Sequence, residues 1–187
     1  ISGIFFYLFL FKIFKNQYLS LLGTAIYLLY PYLFGHAQFN PKDIPFMSFW
    51  LINTLISLKL FEDLYFNREI KFKKLIILSF LTAFLISIRI VGLLIFVQYF
   101  ISLIICTEKI KLSFFKFIKL NIINFTVFFI FTFVFLIILN PIFWHNPLEI
   151  INSIKHMGKY PQNIGTLTNG TLMYSLNLPS SYYFIWL

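Results

Sequence analysis

The feature that most constrains this chain is a succession of apolar runs, each close to the length needed to cross a bilayer. They occupy residues 1–11, 18–34, 44–61, 75–106 and 120–140, and another begins at about Tyr182. A spanning helix needs about 20 apolar residues, within a range of roughly 17–25. Backbone in hydrocarbon must satisfy its own hydrogen bonds, which a helix does within one segment. The expected fold class is therefore all-α: a polytopic transmembrane helical bundle with an external interfacial helix. Composition agrees. The chain is 60% hydrophobic and 11% charged, against about 25% charged in soluble domains.

Charge then gives sidedness. Segments 12–17, 62–74 and 107–119 hold ten basic residues between them, whereas linker 35–43 holds Lys42 alone and segment 141–181 holds Lys155 and Lys159. By the positive-inside rule the first three are cytoplasmic and the last two external. The net charge of +9 is explained by this bias and by anionic headgroups. The chain has no aromatic-basic surface module, so nucleic acid is excluded as a partner.

Parity constrains the run 75–106, because both of its flanks are cytoplasmic. One straight helix of that length would be about 48 Å, too long for a core of about 30 Å. The run is expected to divide at "SIRIVG", with Arg89 and Gly92. The expected spans are thus 1–11, 18–34, 44–61, 75–88, 90–106, 120–140 and 182 onward, in one transmembrane domain covering 1–187. The chain starts inside an apolar run at Ile1 and ends in "YYFIWL", so it reads as an internal piece of a longer protein.

The external segment 141–181 carries helix punctuation. Asn146 suits an N-cap, Pro147 the first helical position and Glu149 the first turn. An apolar stripe through Ile151 and Ile154 predicts a short helix lying on the membrane surface, preceded by the anchors Phe143 and Trp144. Asn169-Gly170 predicts a hairpin turn. The single cysteine, Cys106, reads as a small apolar side chain.

Polar residues concentrate in "GHAQFNPKDIPF", residues 35–46. Asp43, at the mouth of the run 44–61, has two readings. A first-turn carboxylate interacting with the helix dipole is worth about 0.5–2 kcal/mol. An acid at membrane depth is also a functional candidate. His36 has no second His at a ligand spacing, so a hydrogen-bonding role suits it better than a metal. Arg89 could snorkel to the interface. Its planar, permanently charged guanidinium also suits a phosphate, and Gly92 beside it permits close backbone approach.

Several stretches in order, "HAQFNPKDIPF", "ISIRIVGLL", "NPIFWHNPLEIINSIKHM" and "NLPSSYYFIWL", resemble bacterial members of the polytopic GT-C glycosyltransferases. The branch they resemble is the protein O-mannosyltransferase-like group, glycosyltransferase family 39. The resemblance runs from about His36 to Leu187. It implies a bacterial inner-membrane enzyme, active at its external face, that moves a sugar such as mannose from a polyprenyl-phosphate donor. The acceptor would be a protein, lipid or glycan.

On this resemblance Asp43 is a supporting acid and Arg89 meets the donor phosphate. His36 is a further catalytic candidate, and Lys42 a further candidate for the phosphate. Pro179 and Tyr182 contribute to the acceptor side or cavity cover. Ser180 stands where relatives often have an aromatic. The main catalytic acid is implied in a loop before Ile1. No cofactor is implied with certainty, and a divalent metal is left open. The alternatives are a transporter or flippase, suggested by the break at Arg89, and a non-catalytic membrane subunit.

Overall fold

A computed structural model describes residues 2–31, 33, 35, 42–67, 70–110, 113–157, 165–168 and 170–174. The chain is mostly helical. In order it forms α1 (Ser2–Phe14), α2 (Gln17–Leu29), α3 (Asp43–Asn67) and α4 (Phe72–Ile88). A 3-10 turn (Ile90–Leu94) leads to α5 (Ile95–Ile110), α6 (Phe114–Leu120), α7 (Ile122–Leu139) and α8 (Ile142–His145). There follow α9 (Glu149–Met157) and the strands β1 (Gly165–Thr168) and β2 (Thr171–Tyr174). Residues 1–147 and 148–187 form two compact units.

Local chemistry sets the helix ends. Lys15 takes a left-handed conformation (φ 51°) and closes α1. The side chain of Asn16 then caps α2, accepting from Tyr18 N at 2.9 Å and Leu19 N at 3.2 Å. The result is a tight helical hairpin. The apolar run continues to residue 34, yet α2 stops at Leu29, because Tyr30 precedes Pro31 and is driven to extended backbone (ψ 117°). At the other extreme, α3 runs past the apolar run to Asn67, through Glu62 and Asp63. A helix does not end where hydrocarbon would.

Contacts between helices fix the directions of the first unit. Lys74, in the first turn of α4, pairs with Asp63 near the end of α3. Arg89, just past the end of α4, pairs with Asp43 at the start of α3. Cys106 Sγ, late in α5, returns to within 4.0 Å of Phe61 O. Thus α4 runs the length of α3 and α5 runs back, as parity demands of the run 75–106. The turn between them depends on Gly92. A Cβ there would lie 3.0 Å from Leu85 C and O and 3.1 Å from Ile86 Cα. These are backbone atoms that cannot swing aside.

α4 is the enclosed helix. Ser79, Thr82, Ala83 and Leu85 have no exposure, and α4 packs most extensively on α7 and then on α3. Leu60 and Leu64 of α3, Leu75 and Leu78 of α4, Tyr99 of α5, Phe117 of α6 and Phe128 of α7 form the core. The outward faces are apolar too, with Phe129, Ile130, Phe133 and Ile138 of α7 all exposed. Among the described residues three stretches, Asp43–Phe66, Ile90–Glu108 and Ile122–Leu139, are long and apolar enough to cross a membrane. This is consistent with a membrane protein.

In the second unit α9 begins at Glu149, two residues beyond the expected first position, because Pro147 and Leu148 form a turn. Asn146 instead ends α8. Leu148, Ile151 and Ile154 are exposed. β1 and β2 pair antiparallel, with Thr168 opposite Thr171. Gly170 supplies the positive φ of the turn, 77°.

Candidate functional site

Asp43 and Arg89 are 46 positions apart in sequence and meet at one end of the bundle. Arg89 Nη2 lies 2.5 Å from Asp43 Oδ1, with the two side chains 38% and 27% exposed. Asp43 is the first residue of α3, where the helix dipole favours its charge. Its position is fixed by the turn before it: Lys42 O accepts the Phe46 N–H at 3.0 Å. Arg89 has extended backbone (φ −148°, ψ 130°) between α4 and the 3-10 turn. Its N–H reaches back to Leu85 O at 3.3 Å, and its carbonyl accepts from Gly92 N at 2.8 Å. A residue outside both helices, but held by both, can present its guanidinium at the helix ends.

The same end holds the close of α7. Asn140 Nδ2 donates to Ser87 Oγ at 2.7 Å and to Leu136 O at 2.8 Å. The start of segment 141–181 therefore sits at the Asp43–Arg89 end. Lys12–Glu62 and Lys74–Asp63 lie at the opposite end, with the basic segments.

A buried polar network lies deeper between α3, α4 and α5. Asn53 Oδ1 accepts from Tyr99 OH at 3.1 Å and from Thr82 Oγ1 at 3.2 Å. Asn53 Nδ2 donates to Phe49 O at 2.8 Å and Leu81 O at 3.1 Å. Beside it Trp50 Nε1 donates to Gln98 Oε1 at 2.9 Å, and Gln98 Nε2 donates to Thr54 Oγ1 at 2.9 Å. In an apolar bundle such groups act as interhelical glue, because hydrocarbon offers no substitute partner. They were missed in reading the sequence, although Asn53, Thr54 and Gln98 are visible there as polar residues inside apolar runs.

The other candidates fall differently. Lys42 is exposed beside Asp43. His36, Pro179 and Tyr182 lie outside the described residues. Among the described residues no group of three or more His, Cys, Asp or Glu is placed to hold a metal.

Chemically, the pair is formally neutral: Asp43 balances the charge of Arg89 and holds its guanidinium in place. A guanidinium has five N–H donors, and a single carboxylate engages at most two in a bidentate pair. The remaining donors suit an anion with several oxygens. One oxygen of Asp43 is committed to Arg89, which suits holding that guanidinium in place more than attacking a substrate.

The fold and site together define a helical protein with, among the described residues, three helices fit to span a bilayer and a charge pair at one bundle end. No protein-family model, curated protein or solved structure matches the chain.

Proposed function

We propose that the chain is part of a multi-pass membrane glycosyltransferase. It moves a sugar such as mannose from a polyprenyl-phosphate donor to a protein, lipid or glycan acceptor at the external face of a bacterial inner membrane. The observation that carries this reading is the Asp43–Arg89 pair, at the bundle end remote from the basic segments. Transfer from a phosphate leaving group builds negative charge there, and a fixed guanidinium stabilises it. In this reading Arg89, with Lys42, meets the donor phosphate. Asp43 positions Arg89 as a supporting acid, and His36 is assigned a catalytic part. Pro179 and Tyr182 serve the acceptor side, and α9 lies on the outer surface with Ile151 and Ile154 in the interface.

The test is transfer from polyprenyl-phosphate sugars by the full-length protein of which this chain is part, in vesicles. Arg89→Ala is expected to lower transfer roughly tenfold to a hundredfold, the loss of one charge-assisted hydrogen-bonding group. Asp43→Asn is expected to lower it less, because the guanidinium remains. Unchanged transfer in both variants removes them from the site. The break of the chain at Arg89 also fits a transporter or flippase with a discontinuous helix. Substrate movement across proteoliposomes without any glycosyl product would favour that reading.

A further inference from the structure

Asn140 closes α7 at the bundle end that holds the Asp43–Arg89 pair, and its side chain serves two helices at once. Nδ2 donates to Leu136 O of its own last turn at 2.8 Å and to Ser87 Oγ of α4 at 2.7 Å. A primary amide has two N–H donors, so both are spent inside the bundle. The first bond satisfies a carbonyl that the end of α7 would otherwise leave without a donor. The second joins the end of α7 to the end of α4. The backbone of Asn140 adds a third tie, because its carbonyl accepts from Phe143 N of α8 at 3.0 Å.

Ser87 lies in the last turn of α4, two residues before Arg89. Its hydroxyl accepts from Asn140 and donates to Ala83 O at 2.8 Å. The same turn supports Arg89, whose N–H reaches Leu85 O at 3.3 Å. That bond is long for an N–H donor, and beyond it the backbone of Arg89 is extended. The direction of the guanidinium thus depends on how firmly the last turn of α4 is held. Asn140 holds that turn against α7, the helix on which α4 packs most extensively.

We propose that Asn140 is a positioning residue for Arg89. Through Ser87 it fixes the last turn of α4, so that the guanidinium stays on Asp43 and is presented to the donor phosphate. The part that concerns the phosphate rests on the transferase reading above. The part that concerns the turn does not, and the two have separate readouts.

Hydrogen exchange in the full-length protein reads the turn. Asn140→Ala should speed exchange of the Arg89 and Gly92 amides roughly threefold to tenfold, the effect of one lost hydrogen bond. The Lys74 and Leu75 amides, at the opposite end of α4, should exchange as before, whereas general loosening of the bundle would speed both ends. Transfer from polyprenyl-phosphate sugars reads the consequence. Asn140→Ala should lower it roughly threefold to tenfold when Arg89 is present, and no further when combined with Arg89→Ala. Ser87→Ala should reproduce both effects, and Ser87→Thr, which keeps the hydroxyl, should show neither.

Unchanged exchange at Arg89 and Gly92 overturns the proposal. So does an equal loss of transfer with and without Arg89, since Asn140 would then act by another route. Faster exchange at Arg89 and Gly92, with Arg89→Ala transferring as the native protein does, upholds the hold on the turn and overturns the transferase reading of Arg89. Should Asn140→Ala fail to fold, the two Ser87 variants decide by the same readouts.

Discussion

The two ends of the first unit both carry ion pairs, and they use them differently. At the basic end Lys12–Glu62 ties α1 to α3, and Lys74–Asp63 ties α3 to α4. These pairs sit among many lysines, so their acids answer a local excess of positive charge. At the other end the described residues show Asp43 and Arg89 joining the start of α3 to the break after α4. That pair sits at the break in the backbone after α4, where Asn140 also reaches Ser87. One end is a fastening between regular helices. The other is built around an irregular backbone whose conformation is fixed by Gly92.

Four substitutions sharpen or break this contrast. Gly92→Val should have the largest effect on folding. Its side chain would enter the backbone of Leu85 and Ile86, an overpacking cost of about 1–3 kcal/mol or more. A lowered thermal midpoint in detergent, with the basic end unaltered in hydrogen exchange, is the expected result. An unchanged midpoint would mean that the turn has slack. Arg89→Ala follows, with its roughly tenfold to hundredfold loss of transfer and a smaller loss of stability. The reverse pattern, stability lost and transfer kept, would make the Asp43–Arg89 pair a fastening like those at the basic end. Asn53→Ala should cost about 0.6–1.7 kcal/mol, the range for interhelical hydrogen bonds in membranes, read as a shift in denaturation by a graded detergent mixture. Glu62→Gln should cost about 0.5 kcal/mol or less, because Glu62 is 52% exposed and its pair is screened. A larger loss there would erase the distinction between the ends.

Much of this was legible in the residues. Run length marks the helices, and the excess length of 75–106, with Arg89 and Gly92 inside it, marks the place where the chain turns. Asn169-Gly170 marks the hairpin, since Gly170 takes the positive φ that such a turn requires. The meeting of Asp43 with Arg89 was not legible, although each was singled out. Periodicity describes one element at a time, and this contact joins residues 46 apart through the packing of α3 on α4. The Asn53–Thr82–Tyr99 network was hidden for the same reason. The basic segment 107–119 also concealed a helix. α6 covers Phe114–Leu120, and Asn121, outside helical geometry (φ −109°, ψ 14°), separates it from α7 with no Gly or Pro to mark the place.

The enclosure of α4 has a consequence in time as well as space. Its chief packing partner, α7, is complete only about 50 residues after α4 ends, which at about 5–20 residues per second is several seconds of synthesis. Through that interval Ser79 lacks the α7 carbonyl of Phe128 that it later reaches, and Ser87 lacks Asn140. The most enclosed helix of the finished bundle thus waits for its chief neighbour. The nascent chain must shelter it meanwhile with α3 and then α5.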